Sequence, residues 1–173
     1  MIFKKFLYFI FHLIYKTLVD GANSYRYINY RKLYDIDPTF RFNGNVLLYG
    51  NGEICLGANS YIGDFSTIQS VKGQKVIIGD NCAISHNVRI YTSNYNAEQF
   101  VKKNTGISEK GNVVIKNGCW IGVNVFIREN VVIGENVVVG ANSVVINDIP
   151  DNSIVGGVPA KIIKNYPNTN DKF

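Results

Sequence analysis

From Leu56 to Val145 an aliphatic residue recurs at every sixth position, with two interruptions. The anchors are Leu56, Ile62 and Ile68, then Ile78, Ile84 and Ile90, then Ile115, Ile121, Ile127, Ile133, Val139 and Val145. Glycine often follows directly, as at Gly57, Gly79, Gly122 and Gly140. Two positions before each anchor stands a compact or β-branched residue, such as Ile54, Ser60, Val88 or Val125. Helices repeat apolar residues about every 3.6 positions and half-buried strands about every 2. A period of six fits neither. It marks a parallel β-helix, in which each hexad supplies one short strand and one corner.

The corners carry their own chemistry. Three residues after an anchor come Asn59, Asn81, Asn87, Gly118, Asn124, Asn130, Asn136 and Asn142. Asparagine and glycine tolerate the left-handed backbone that a tight corner demands. Twelve hexads taken in threes make about four coils. At about 4.8 Å per coil the prism is roughly 20 Å tall. Four extra residues separate Ile68 from Ile78, and nineteen separate Ile90 from Ile115. Both insertions follow a third hexad, so both leave the same edge. The longer one, 91–111, is polar, and long loops on rigid repeats carry function.

Stacking equivalent hexads brings distant residues together. Ile84, Ile121 and Val139 form one column, and His86, Val123 and Ala141 form another at a corner. Trp120 immediately precedes the first of these columns. Asn94 and Tyr95 lie at the root of the long loop.

Outside the repeat, residues 1–20 predict an apolar helix. Its uncharged run, Phe6–Tyr15, is flanked by Lys4, Lys5 and Lys16. That run is too short to span a bilayer, which needs about 20 residues. Such a helix seeks a groove on a partner subunit or the interfacial zone of a membrane. Residues 21–45, rich in Tyr and Arg, read as a linker and cap. The β-helix with its C-terminal extension takes 46–164, and 165–173 reads as a flexible tail.

The net charge of +5 suits an anionic membrane surface or a polyphosphate ligand. No aromatic-basic module argues for nucleic acid. Three cysteines without paired spacing point to reduced thiols and a cytoplasmic setting. Cys82 and Cys119 fall at inward repeat positions and read as small buried residues. No cleavage site follows the apolar run, so no cleaved leader is expected. Two histidines in the whole chain, His12 and His86, cannot supply a three-histidine zinc site, so no metal is expected.

The hexads, the run CWIGVNVFIRENVVIGENVVVGANSVVINDIP and the closing GGVPAKIIK together resemble the hexapeptide-repeat acetyltransferases, which include galactoside, maltose and serine acetyltransferases and enzymes of surface polysaccharide synthesis. The resemblance implies a left-handed parallel β-helix, a homotrimer, and acetyl-CoA bound in the cleft between neighbouring prisms. It places the pantetheine arm beside Trp120, Gly122, Val123 and Ala141, and the nucleotide phosphates near Lys161 and Lys164. It also places acceptor contacts at Asn94 and Trp120. The family's histidine base is expected five residues after Ile90, where this chain has Tyr95. A phenol ionises near pH ~10 and is a poor base at neutrality. Three readings stay open here: His86 is the base, the acceptor is an amine that needs none, or the site has decayed to a trimeric scaffold. The leading expectation is acetyl transfer to a sugar hydroxyl of a surface polysaccharide, at the inner face of the cytoplasmic membrane.

Overall fold

The protein is described by a computed structural model that covers residues 2–103 and 106–166. The chain divides into two compact units, one ending at Leu33 and one beginning at Tyr34.

The first unit is a single helix, α1 (Ile2–Leu33). It does not end near Asp20 as expected but runs through most of the anticipated linker. No proline stands before Pro38 to stop it, and Arg31 and Lys32 in its last turn suit the negative end of the helix dipole. Its N-terminal half exposes Leu7, Tyr8, Phe9, Phe11, Leu13, Ile14 and Tyr15. Among the described residues no helix is long and apolar enough to cross a membrane.

The second unit is a three-sided parallel β-helix of five coils rather than four. The first coil holds β1 (Asp35–Ile36), β2 (Arg41–Phe42) and β3 (Leu47–Tyr49). The second holds β4 (Glu53–Leu56), β5 (Tyr61–Ile62) and β6 (Thr67–Gln69). The third holds β7 (Lys75–Ile78), β8 (Ala83–Ile84) and β9 (Arg89–Tyr91). A hairpin then leaves the prism as β10 (Ser93–Tyr95), α2 (Ala97–Lys103) and β11 (Ser108–Lys110). The fourth coil holds β12 (Val113–Ile115), β13 (Trp120–Ile121) and β14 (Phe126–Ile127), and the fifth β15 (Val131–Ile133), β16 (Val138–Val139) and β17 (Val144–Val145). β18 (Ser153–Gly156) adds in parallel to β16, and β19 (Lys161–Asn165) returns antiparallel on β18. Asn165 thus belongs to a strand and not to the anticipated tail; 167–173 lie outside the described residues.

The extra coil is anchored by Ile36, Phe42 and Leu48, which pair in register with Leu56, Ile62 and Ile68. Two additional residues separate Leu48 from Leu56, so the hexad count stalls there. Phe40 and Phe42 meet edge to face at 5.2 Å near the end of the core.

Each prism face is one parallel sheet. Face A stacks β1-β4-β7-β12-β15, face B runs from β2 through β5, β8, β13, β16 and β18 to β19, and face C stacks β3-β6-β9-β14-β17. The expected column Ile84-Ile121-Val139 is one register row of face B. Anchors and their preceding partners point inward; Ile62, Ile84, Ile121, Val125, Ile127 and Val139 are fully buried. Burying each such side chain contributes about 1.5–3 kcal/mol. Cys82 and Cys119 are buried as expected, their thiols donating to the carbonyls of Lys116 at 3.1 Å and Gly134 at 3.0 Å. All eight corner residues singled out above have positive φ, from 53° to 71°. The short insertion and the hairpin both leave where face C turns into face A, as the phase of the repeat requires.

Candidate active site

The candidate residues fall into three places on the prism. The first is face B. Trp120 on β13 is 54% exposed, and its indole Nε1 donates to Ser85 Oγ at 3.3 Å. Register carries its row outward through Val138 and Ile154 to Lys164. Three strand spacings make this strip about 14 Å long, with an aromatic at one end and a cation at the other. Lys161 is exposed on the same β19 strand opposite Gly156, and Lys164 Nζ lies 4.5 Å from the centre of the Tyr166 ring. Such a strip suits an extended chain ending in phosphates.

Gly122 has a structural reason to be glycine. It is buried, and a Cβ there would stand 2.6 Å from the backbone nitrogen of Ala141 and 2.8 Å from the carbonyl oxygen of Val139. The next coil, packed directly against it, requires glycine whether or not a ligand lies outside. Val123 and Ala141 are exposed.

The second place is the edge between faces B and C. His86 follows β8, Val123 follows β13 and Ala141 follows β16, so the expected corner column is present. The backbone carbonyl of His86 accepts from Asn124 N–H at 3.1 Å, and that of Val123 accepts from Asn142 N–H at 2.8 Å. The side-chain amides continue the ladder, Asn87 donating to Asn124 at 2.7 Å and Asn124 to Asn142 at 3.0 Å. His86 is exposed, and its Nδ1 accepts the backbone N–H of Asp64 at 2.9 Å. That bond fixes the tautomer: neutral His86 carries its proton on Nε2. In this state Nε2 donates, and the imidazole lone pair is already engaged.

The third place is the edge between faces C and A. Here β10 and β11 pair antiparallel, with Asn94 opposite Glu109 and Tyr95 opposite Ser108. Asn96 caps α2 by accepting Gln99 N–H at 2.8 Å. Tyr95 is exposed on the hairpin, its ring 6.1 Å from that of Phe100 and close to Gly106. Asn94 does not point freely outward; its amide donates to Glu129. Glu129 is a carboxylate only 3% exposed, at the inward position that Ser70 and Thr92 fill in the coils below. Arg128 donates through Nε to Glu129 at 2.8 Å and through Nη2 to Glu109 at 2.7 Å, and Asn96 donates to Glu109. Burial by itself pushes the Glu129 carboxyl up, but the hydrogen bonds from Arg128 and Asn94 outweigh it and hold the group below the usual glutamate range. Open depressions flank this clamp, one of about 610 Å³ lined by Glu109, Lys110, Arg128, Glu129, Asn130 and Ile146.

His86 and the pair Asn94–Tyr95 therefore stand on different edges of one prism, with face C between them. The clamp residues Glu109, Arg128 and Glu129 escaped the sequence reading. The available signal was a carboxylate two residues after an anchor, where neighbouring coils have Ser or Thr.

A bacterial transferase hexapeptide model, of six repeats, matches residues 112–147. A maltose O-acetyltransferase of Clostridium difficile 630 superposes with a TM-score of 0.65 at 31% identity, over 80% of this chain and 73% of that one. The chain belongs to the hexapeptide-repeat acetyltransferases. A Vibrio cholerae hexapeptide-repeat acetyltransferase, solved with acetyl-CoA, matches with a TM-score of 0.67 at 27% identity, covering 84% of this chain and 79% of that one. The galactoside O-acetyltransferase of Escherichia coli K12 is 38% identical over 124 residues, 72% of this chain and 59% of the relative. The polysialic acid O-acetyltransferase of Escherichia coli O1:K1 is 33% identical over 129 residues, 75% of this chain and 42% of the relative. This chain thus spans about half of the length of such curated relatives, between 42% and 59% of these two.

Proposed function

We infer that the protein transfers an acetyl group from acetyl-CoA to a sugar hydroxyl during synthesis of a surface polysaccharide. The observation that carries this reading is the strip from Trp120 to Lys164, an aromatic and a cation in one register row of face B. Along it the pantetheine arm would run past Val123 and Ala141, with Lys161 and Lys164 toward the phosphates. Relatives named for galactoside, maltose and polysialic acid support a carbohydrate acceptor.

The working site forms between copies in a homotrimer. His86 and the Asn94–Tyr95 hairpin lie on separate edges of one prism, and only a neighbouring copy can set one beside the other. Acetyl transfer then proceeds by attack of the acceptor oxygen on the thioester carbon, releasing the CoA thiol. In its present tautomer His86 donates a hydrogen bond to the acceptor or the thioester oxygen; service as the base requires release of the Asp64 bond. The engaged Nδ1 lone pair also favours a second reading, N-acetylation of an amino sugar, since a neutral amine attacks without a strong base.

Peripheral membrane contact through the N-terminal half of α1 fits the same setting. Exposed Leu7, Phe11, Ile14 and Leu18 share one face of the helix and would enter the lipid boundary, with Lys5 and Lys16 on the opposite face and Lys4 beside it toward the anionic headgroups. The enzyme would then act from the cytoplasm on lipid-linked or polymeric acceptors.

The test is thiol release from acetyl-CoA with maltose, methyl β-galactoside, oligosialic acid and their amino-sugar counterparts as acceptors. Transfer to a hydroxyl supports the first reading and transfer to amines only supports the second. Calorimetry that detects no acetyl-CoA binding would leave a trimeric scaffold instead.

A further inference from the structure

Three residues after Ile62, where the other coils place Asn at this edge (Asn45, Asn87, Asn124 and Asn142), stands Phe65. Its φ is +60°, in the left-handed region that its counterparts on the same edge, Asn87, Asn124 and Asn142, also occupy. For those asparagines the conformation is tolerated, and their amides bond one another up the edge. Phenylalanine has no such compensation. Its ring offers no hydrogen bond to the backbone, and at 61% exposure it gains little from packing. A bulky residue held in a costly conformation, with its apolar ring in water, points to function rather than stability.

The surroundings are polar and firmly built. Asp64 Oδ1 accepts the backbone N–H groups of Asn45 at 2.6 Å and Phe65 at 2.9 Å. Phe65 N–H also reaches the carbonyl of Asn45 at 3.0 Å, and Arg89 donates to the Phe65 carbonyl. One residue away, Asp64 N–H donates to His86, and the Asp64 carbonyl accepts Asn87 N–H at 2.8 Å. The ring thus projects from a backbone fixed on both sides, one residue from the Asp64 N–H that bonds His86 and with the Arg89 guanidinium on its own carbonyl. A flat apolar face with a histidine, a carboxylate and a guanidinium on neighbouring backbone positions matches a pyranose. The sugar's C–H face carries slight positive charge against the negative ring face, and its hydroxyls need polar partners. A ring that only packed one subunit against another would sit in an apolar centre depleted of charge, whereas Asp64 and Arg89 flank this one, as suits the wall of a cleft between copies.

We propose that Phe65 is the stacking platform for the acceptor sugar, placed beside His86 at the edge between faces B and C. This rests on the carbohydrate acetyltransferase reading and names the residue that grips the acceptor.

Phe65→Asn restores the corner residue of the other coils and separates the two roles cleanly. The variant is expected to melt roughly 2–4 °C higher, since relief of about 1 kcal/mol of strain has that effect in a chain of this size. It is expected to raise the KM for the sugar at least about tenfold while the KM for acetyl-CoA stays unchanged, a loss of about 1.4 kcal/mol in acceptor binding. Phe65→Tyr should keep the wild-type KM. An unchanged sugar KM in Phe65→Asn overturns the proposal, as does a lower melting temperature, which would make the ring a packing element. Altered subunit assembly in Phe65→Asn overturns it too and assigns the ring to an interface. If the wild type transfers acetyl to none of methyl β-galactoside, maltose, oligosialic acid or their amino-sugar counterparts, the transferase reading fails separately. Saturation-transfer NMR with the same sugars then decides the platform. Transfer to the sugar in the wild type but not in Phe65→Asn upholds it, and no transfer in the wild type overturns it.

Discussion

The two edges that flank face C are built in opposite ways. The edge carrying His86 is made by the repeat itself: corner asparagines in the left-handed conformation, their amides bonded from coil to coil, and backbone groups paired between neighbouring coils. The edge carrying Tyr95 interrupts the repeat with a hairpin, and charge holds that hairpin to the wall. Arg128 and Glu129 grip it through Glu109 and Asn94. One edge is rigid because every coil repeats it; the other is ordered by a single buried carboxylate. The difference says where motion belongs. A hairpin latched by a few polar contacts can open without disturbing the prism, whereas the asparagine edge can move only with the coils.

The largest effect should come from the framework common to both edges. Ile121→Ala leaves a cavity under the Trp120 row and is expected to cost about 2–5 kcal/mol, read as a lowered melting temperature with both edges affected together. Loss of only the hairpin's protection in that variant would break the picture of a single core.

On the first edge, His86→Ala is expected to lower turnover at least about a hundredfold, equivalent to about 2.7 kcal/mol of barrier. Near-normal turnover would remove His86 from the mechanism and shift the weight to the hairpin edge.

On the second edge, Glu129→Gln weakens the clamp and is expected to cost about 1–3 kcal/mol of local order. Hydrogen exchange should show it in residues 93–110, while the melting temperature of the prism moves little. The same clamp has a pH dependence of definite sign. The folded-state pKa of Glu129 lies below its unfolded value, so its contribution is present above the unfolded pKa and lost as pH falls through the folded one. Acidification should open the hairpin before the prism melts, and Glu129→Gln should abolish that step. A hairpin equally protected at all pH values would show that Glu129 is not its latch.

The smallest effect is expected on face B. Lys164→Ala removes one exposed cation and should raise the KM for acetyl-CoA by no more than about fivefold, with the sugar KM unchanged. A change in the sugar KM instead would relocate the donor strip.

The first edge was largely legible in the amino-acid sequence. The phase of the hexads placed His86, Val123 and Ala141 in one column, and the corner asparagines announced their own backbone conformation. Phe65 was equally visible as the one residue that departs from Asn along that edge. The second edge was legible only as a place where chain leaves the prism. Its clamp joins residues 94, 109, 128 and 129, whose meeting depends on how β10 and β11 pair beyond the repeat. The opening coil was hidden because two extra residues before Leu56 shift the phase.

By itself the sequence determined the repeating framework, because burying one aliphatic side chain per hexad leads a chain of this pattern to a parallel β-helix. It also determined which residues share a column, since register follows from counting. Only the tertiary structure decided what those residues can do. The Asp64 N–H that occupies His86 Nδ1, the packing that demands glycine at position 122 and the buried carboxylate that latches the hairpin all arise between coils. They depend on distances of a few ångströms across stacked backbones, and no spacing along the chain encodes those.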